Sequence, residues 1–175
     1  MTEDGFHVTH WAGLSLEQPH VMGILNVTPD SFSDGGKFDH IDTALAQAQL
    51  MVAQGASIID VGGESTRPGA AEVSVSEGIE RVRPVIEALD AQGVLVSIDT
   101  RKPAVMQAAA AAGAGLINDV TGLTGDPQSM AVALDLNLPV CVMHMQGEPK
   151  TMQAAPSYTD APAEVFEFLV GQAEA

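Results

Sequence analysis

The chain contains five short runs of nearly continuous apolar residues, each rich in β-branched side chains. The runs are HVMGILN (20–26), SIIDVG (57–62), VLVSID (94–99), GLINDV (115–120) and PVCVMHM (139–145). Unbroken apolar strands, as opposed to alternating ones, are typical of parallel sheets that are covered on both faces. The pattern therefore predicts five buried parallel strands.

Helical segments with recognisable ends separate these runs. Ser74 and Glu77 form a capping box ahead of one segment, in which Pro84 is expected to introduce strain. The predicted helices are 41–54, the segment after Ser74, Pro103 to Gly113, Asp126 to near Asn137, and a last one that begins around Asp160 to Pro162. The order is thus a βα unit repeated five times.

Repeated βα units imply right-handed crossovers and either an open, doubly wound sheet or a closed eight-stranded barrel. A polar residue stands at or near the C-terminal end of every apolar run; these residues are Asn26, Asp60, Asp99, Asn118 with Asp119, and His144. Any one of them could be a helix cap or turn former, but barrels assemble their active sites at this end. The first turn also lacks the G-x-G-x-x-G pattern of dinucleotide-binding sheets. We therefore predict a TIM (β/α)8 barrel, of which this chain holds about the first five units.

Composition restricts the possible partners. The 175 residues include 7 Lys+Arg and 23 Asp+Glu, a net charge of −16, so the basic stripe that nucleic-acid binding needs is missing. No apolar run approaches the roughly 18 residues of a membrane span, and residues 1–11 show no export signal. The sequence predicts a cytoplasmic globular domain, with its single cysteine, Cys141, in the core.

Two long polar loops follow the first two runs. The second loop combines Gly62 and Gly63 with Ser65, Thr66 and Arg67, which offer backbone, hydroxyl and guanidinium donors for a phosphate or carboxylate. Asn26, at the start of the first loop, is a suitable oxygen ligand for Mg²⁺ when a substrate phosphate shares the coordination. These loops predict a site for a small anion.

The segments VMGILNVTPDSFSDGG (21–36) and GASIIDVGGESTRPGA (55–70) resemble the two signature segments of the dihydropteroate synthases. SIDTRKP, LINDVTGL and PVCVMHMQGEPKTMQ continue the resemblance in the same order. It implies a pterin-binding barrel that joins a dihydropterin pyrophosphate to p-aminobenzoate in folate synthesis and releases pyrophosphate, with Mg²⁺ as cofactor. It leaves open a homodimer of the full-length protein.

The resemblance also assigns roles to individual residues. Asn26 is expected to hold the metal and pyrophosphate, Asp99 and Asn118 the polar edge of the pterin, and Met143 to line the pterin slot. Asp34 and Arg67 are the expected catalytic residues, because Asp34 resembles the family residue that stabilises the cation left by pyrophosphate. Phe32 is expected to pack near the aminobenzoate ring, and the expected contacts with aminobenzoate and the bound anion are Ser65, Thr66, Arg67 and Pro68. Asp119 is expected to orient neighbours or cap a turn, and His144 to be a hydrogen-bonded barrel residue.

Three strands of a complete barrel are not found in this sequence, which is interpreted as a partial pterin-binding barrel domain over residues 1–175. The family segments that would follow supply further contacts to pterin, aminobenzoate and pyrophosphate, so the activity of this polypeptide alone is doubtful. Two alternatives stay open. One is a pterin-binding methyltransferase domain, which should lack the DSFSDGG and ESTRPGA loops. The other is a non-catalytic product of a shortened gene.

Overall fold

The architecture was examined in a computed structural model, which describes residues 8–28, 37–64, 73–149 and 151–175. The strands are β1 (His10–Trp11), β2 (Leu14–Ser15), β3 (Val21–Asn26), β4 (Ala56–Gly62), β5 (Val96–Asp99), β6 (Leu116–Asp119) and β7 (Val140–Val142). The helices are α1 (Lys37–Ala53), α2 (Val75–Asp90), α3 (Pro103–Ala111), α4 (Ser129–Leu136) and α5 (Ala161–Glu174). Each of the five predicted strands and five predicted helices is present.

The five strands β3 to β7 form one parallel sheet in which spatial order follows sequence order. The helices contact one another in the same succession, α1 with α2, α2 with α3, and α3 with α4. A doubly wound sheet would reverse direction at a switch point and place helices on both faces. The sequential order instead confirms the prediction of consecutive βα units of a barrel.

The hydrophobic core lies between the outer face of this sheet and the helices. Leu25, Val61, Ile98 and Ile117 are paired across four neighbouring strands, and each is at most 2% exposed. Helix α2 covers them with an apolar face that includes Val82, Ile86 and Leu89. This packing maintains α2 unbroken through Pro84, the residue expected to strain it.

The opposite, inner face of the sheet corresponds to the interior of a barrel, and we call it the lumen face. Within the described residues it is only partly covered: on the edge strand β3, Ile24 is 64% exposed. The expectation that every strand is buried on both faces is therefore wrong for β3. Cys141 on the other edge strand, β7, is also exposed, in contrast to its predicted place in the core.

Several helix ends match the capping chemistry predicted from sequence. The Ser74 side chain accepts a hydrogen bond from the Glu77 backbone N–H, and Asp160 caps α5 through the Ala163 N–H. Asn137 ends α4 in the left-handed conformation, while α4 begins at Ser129, after a turn that contains Asp126. These caps fix where each helix leaves the sheet.

Strands β1 and β2 form a hairpin that the sequence analysis missed. The His20 ring ties this hairpin to the barrel: its Nε2 donates to the Ser15 carbonyl at 2.7 Å, and its Nδ1 lies 3.0 Å from Ser57 Oγ. Ser57 lies near the N-terminal end of β4, so the hairpin packs at the end of the sheet opposite Asn26 and Asp99.

Candidate active site

One row of residues crosses the sheet where its strands end. Asn26, Gly62, Asp99, Asn118 and Cys141 are paired in register on the five neighbouring strands. Side chains at paired positions of a parallel sheet point to the same face. We call these five paired residues the upper row. Three of the predicted site residues, Asn26, Asp99 and Asn118, belong to it and are therefore brought together on the lumen face.

Gly62 leaves room in the middle of the upper row. A Cβ atom at this position would come within 3.3 Å of Asn26 Oδ1 and 3.4 Å of Asp99 Oδ2. An amide oxygen and a carboxylate oxygen thus flank the same small space from the two neighbouring strands. Two hard oxygen atoms at one edge are suited to a divalent cation or to donors of a bound ligand.

A second row lies on the same face, two residues before the upper row on each strand. Asp60 on β4 is paired with Ser97 on β5, and the two are 3% and 0% exposed. Asp60 Oδ2 accepts a hydrogen bond of 3.0 Å from Asn118 Nδ2, whereas Asp60 Oδ1 and Ser97 Oγ are buried without a protein partner. The sequence had marked Asp60 only as a polar strand end; the structure connects it to the upper row.

The carboxyl group of Asp99 is strongly perturbed. Burial, followed by the negative charges of Asp60, Asp119 and Glu64, raises the pKa of Asp99 to about 7. Both protonation states are then populated near neutral pH. A partly buried carboxyl group with such a shift, on a partly covered face, is a typical feature of a functional site.

Asp119 has a structural role. Its Oδ1 accepts from the backbone N–H and hydroxyl of Thr121, both at 2.7 Å, and its Oδ2 accepts from the Leu123 N–H at 3.2 Å. It is paired with Val142, one residue beyond the upper row, and therefore lies on the other face. Of the two adjacent polar residues of β6, Asn118 faces the lumen and Asp119 holds the turn after the strand.

An ion-pair cluster lies at the end of β4, and sequence reasoning did not find it. Lys102 Nζ pairs with Glu64 Oε2 at 2.7 Å and also donates to the Val73 carbonyl, while Arg101 lies 3.7 Å from Glu64 Oε1. Lys102 thereby contacts residues on both sides of segment 65–72. No local pattern could have identified it, because its members come from three separate parts of the chain.

Met143 and His144 lie just past β7, which is shorter than the apolar run that predicted it. Met143 is 37% exposed. The His144 ring packs edge-on against Phe168 at 5.1 Å and lies 5.8 Å from the Tyr158 ring. These contacts attach α5 to the end of β7 and give His144 a packing role.

The other predicted site residues lie outside the described residues and remain predictions; they are Phe32, Asp34, Ser65, Thr66, Arg67 and Pro68. In the described part of the chain, no group of three or more His, Cys, Asp or Glu side chains could hold a metal ion. None of the described helices is both long and apolar enough to cross a membrane.

Comparison with known proteins gives the site its context. The profile of the pterin binding enzymes matches residues 22–175. The chain belongs to this family. It is 56% identical over 160 residues to the dihydropteroate synthase of Escherichia coli, covering 91% of this chain and 56% of that protein. It is 51% identical over 157 residues to the dihydropteroate synthase of Haemophilus influenzae, covering 89% and 57%.

Solved structures agree with these relatives. A Yersinia pestis dihydropteroate synthase in complex with a sulfonamide drug superimposes with a TM-score of 0.83 at 53% identity, over 93% of this chain and 60% of that one. A Xanthomonas albilineans dihydropteroate synthase with 4-aminobenzoic acid gives a TM-score of 0.82 at 51% identity, over 92% and 57%. The chain therefore spans somewhat more than half the length of the relatives it matches.

Proposed function

We propose that the protein to which this chain belongs is a dihydropteroate synthase. It would condense 6-hydroxymethyl-7,8-dihydropterin pyrophosphate with p-aminobenzoate, giving 7,8-dihydropteroate and pyrophosphate in the cytoplasm. The observation that carries the proposal is the upper row, in which Asn26, Asp99 and Asn118 meet on the lumen face. The named relatives and the presence of both signature loops favour this activity over a pterin-dependent methyltransferase.

The chemistry of a pterin suits this face. Its pyrimidine edge carries N–H donors, and Asp99 and Asn118 offer a carboxylate and an amide oxygen at adjacent positions on β5 and β6. A ligand edge that donates hydrogen bonds to a carboxylate stabilises its charged form. Pterin binding would therefore convert Asp99 from a partly protonated group to an ionised acceptor.

Asn26 is the residue that would hold Mg²⁺. Its Oδ1 borders the space beside Gly62, and Mg²⁺ takes few protein oxygens when a substrate phosphate completes its coordination. When bound, Mg²⁺ would neutralise charge on the departing pyrophosphate. Asn26 and the cationic Arg67 are thus proposed to bind the leaving group, while Asp34 would stabilise the cationic pterin.

The reaction then needs positioning more than a nucleophilic side chain. The bond between the pterin methylene carbon and the pyrophosphate oxygen breaks first and leaves the cationic pterin; the amine of p-aminobenzoate then attacks that carbon, and the amine proton passes to solvent or to a nearby base. Holding the two reactants in line and stabilising the separating charges account for catalysis of this type. The aminobenzoate is proposed to be held by Phe32, Ser65, Thr66 and Pro68, and the pterin ring by Met143.

Residues 1–175 are proposed to form one partial barrel domain, and the whole protein a homodimer.

A fusion tests the proposal. Residues 1–175 would replace the matching part of the Escherichia coli relative, and pyrophosphate release would be measured with both substrates, with each alone, and with EDTA. We expect release that requires both substrates and Mg²⁺, and its loss by more than tenfold in Asn26→Ala. A folded fusion that releases no pyrophosphate, or releases it without aminobenzoate, would contradict the proposed function.

A further inference from the structure

Asp60 occupies an unusual position beneath the upper row. Its side chain is almost completely buried, yet only one of its two carboxylate oxygens has a protein partner. That partner is Asn118, whose Nδ2 donates across to β4 at 3.0 Å. Leaving a buried polar atom unpaired costs stability, so a carboxylate at this point is not explained by the fold alone.

The contact determines which end of the Asn118 amide is available to a ligand. An ionised carboxylate only accepts hydrogen bonds, so the amide must turn its nitrogen toward Asp60. The amide oxygen, Oδ1, is then the acceptor left for other partners, beside the second proton of Nδ2. Without such a neighbour the amide could rotate by half a turn and offer a donor instead. Asp99, next to Asn118 in the row, likewise offers acceptor oxygens when it is ionised.

We infer that Asp60 is a positioning residue, which fixes Asn118 as a hydrogen-bond acceptor and thereby selects ligands whose edge carries donors. This inference rests on the proposed function, in which Asn118 contacts the pterin. The role of Asp60 is indirect: it lies one layer deeper than the residues proposed to contact the ligand and acts through the orientation of one amide. The 2-amino group of a 2-amino-4-oxo pyrimidine can donate a hydrogen bond to such acceptors. A carbonyl oxygen in its place would instead set a ligand acceptor against a protein acceptor.

Two ligands that differ at the 2-position, where an oxo group also brings a proton to N1, provide the probe. In 6-hydroxymethylpterin the 2-position carries an amino donor, and in 6-hydroxymethyllumazine it carries a carbonyl oxygen. Their affinities for the fusion protein described above, the parent of the variants below, would be measured by NMR titration, which also detects weak binding. The same spectra report the side-chain amide resonances of Asn118 before any ligand is added.

The variants are chosen to separate positioning from burial. Asp60→Asn keeps the size of the side chain but allows either amide to donate, so the orientation of Asn118 is no longer fixed. Ser97→Ala is the matched control, because Ser97 lies in the same buried row, opposite Asp60, and likewise has an unpaired oxygen.

We expect the parent fusion to prefer the pterin over the lumazine by at least about tenfold, the difference that one charge-assisted or buried hydrogen bond can produce. Asp60→Asn should reduce this preference to about threefold or less and shift the Asn118 amide resonances. Ser97→Ala should preserve both. If Asp60→Asn does not fold, the parent spectrum still decides, since bonding to a carboxylate shifts one amide proton downfield and widens the separation of the two beyond that of a solvent-exposed asparagine.

Failure of the inference is distinct from failure of the proposed function. Asn118 amide protons in the parent that are separated only by the ordinary difference of a solvent-exposed asparagine, or an unchanged ligand preference in folded Asp60→Asn, would overturn the role of Asp60 while pterin binding stands. A parent fusion that binds neither heterocycle would instead contradict the proposed pterin site, and the ligand selection with it, while the amide resonances would still test the Asp60 contact.

Discussion

Asp99→Asn should make the protein more stable at alkaline pH while it damages the site. The pKa of the Asp99 carboxyl group is raised from 3.8 to about 7, mainly by burial. At 1.36 kcal/mol per unit, this shift corresponds to a contribution of roughly 4 kcal/mol to the free energy of unfolding. Because the folded state retains the proton that the unfolded chain releases, this contribution is fully present below pH 3.8 and is lost as the pH rises to about 7. Asparagine carries no such charge and avoids the loss.

The effect is best measured as a difference between two pH values. Between pH 5 and pH 8, the unsubstituted protein passes through about two pH units of the interval in which the Asp99 contribution is lost. The stability advantage of Asp99→Asn should therefore grow by about 2 to 3 kcal/mol, or somewhat less where solvent screens the charge. Urea unfolding followed by far-ultraviolet circular dichroism gives both free energies of unfolding. Constant differences caused by the substitution itself cancel in the comparison.

Asp135→Asn is the matched control, since Asp135 is exposed on α4, and its stability difference should be the same at both pH values. The affinity for a dihydropterin should meanwhile fall by about tenfold to a hundredfold in Asp99→Asn, because one acceptor becomes a donor facing donors. A stability difference for Asp99→Asn that does not change between pH 5 and pH 8 would refute the reasoning about burial.

Three further predictions concern other parts of the molecule. A polypeptide of residues 1–175 alone should show no synthase activity and should self-associate in sedimentation velocity, because β3 and β7 leave two unpaired sheet edges; an active monomer would contradict this. In the complete protein, Phe32→Leu or Pro68→Ser should raise the inhibition constant of a sulfonamide more than the KM for aminobenzoate, and equal changes would oppose the proposed roles. In urea unfolding, Gly122→Ala should destabilise the fold by more than about 1 kcal/mol, because φ is +61° and a Cβ atom would lie 2.8 Å from the Met143 carbonyl oxygen. The control, Gly171→Ala on an open helix surface, should be neutral or stabilising in the same titration.

The parallel units were predictable because nearly continuous apolar runs are typical of strands in parallel sheets that are covered on both faces. Leu25, Val61 and Ile98 all belong to runs that the sequence showed directly. The hairpin of β1 and β2 was not predictable in the same way. Its turn places Ala12 and Gly13 at positive φ, and Ala-Gly lacks the asparagine or aspartate that usually announces such a turn.

The site was predictable where it depends on register and not where it depends on distant contacts. Polar residues at the ends of parallel strands must meet at one edge, which placed Asn26, Asp99 and Asn118 together in advance. The bond from Asn118 to Asp60 joins residues 58 positions apart, and the pair of Lys102 with Glu64 likewise depends on the completed fold. Cys141 was misplaced because apolar character alone does not tell an inner position of an edge strand from the core.

A crystal structure of the fusion protein with a dihydropterin bound would test the central claim most directly. The account predicts that the pyrimidine edge lies within hydrogen-bonding distance of the Asp99 carboxylate and of Asn118 Oδ1, with Asn118 Nδ2 still bonded to Asp60. A pterin bound away from the upper row, or one that meets Asn118 through its amide nitrogen, would contradict it.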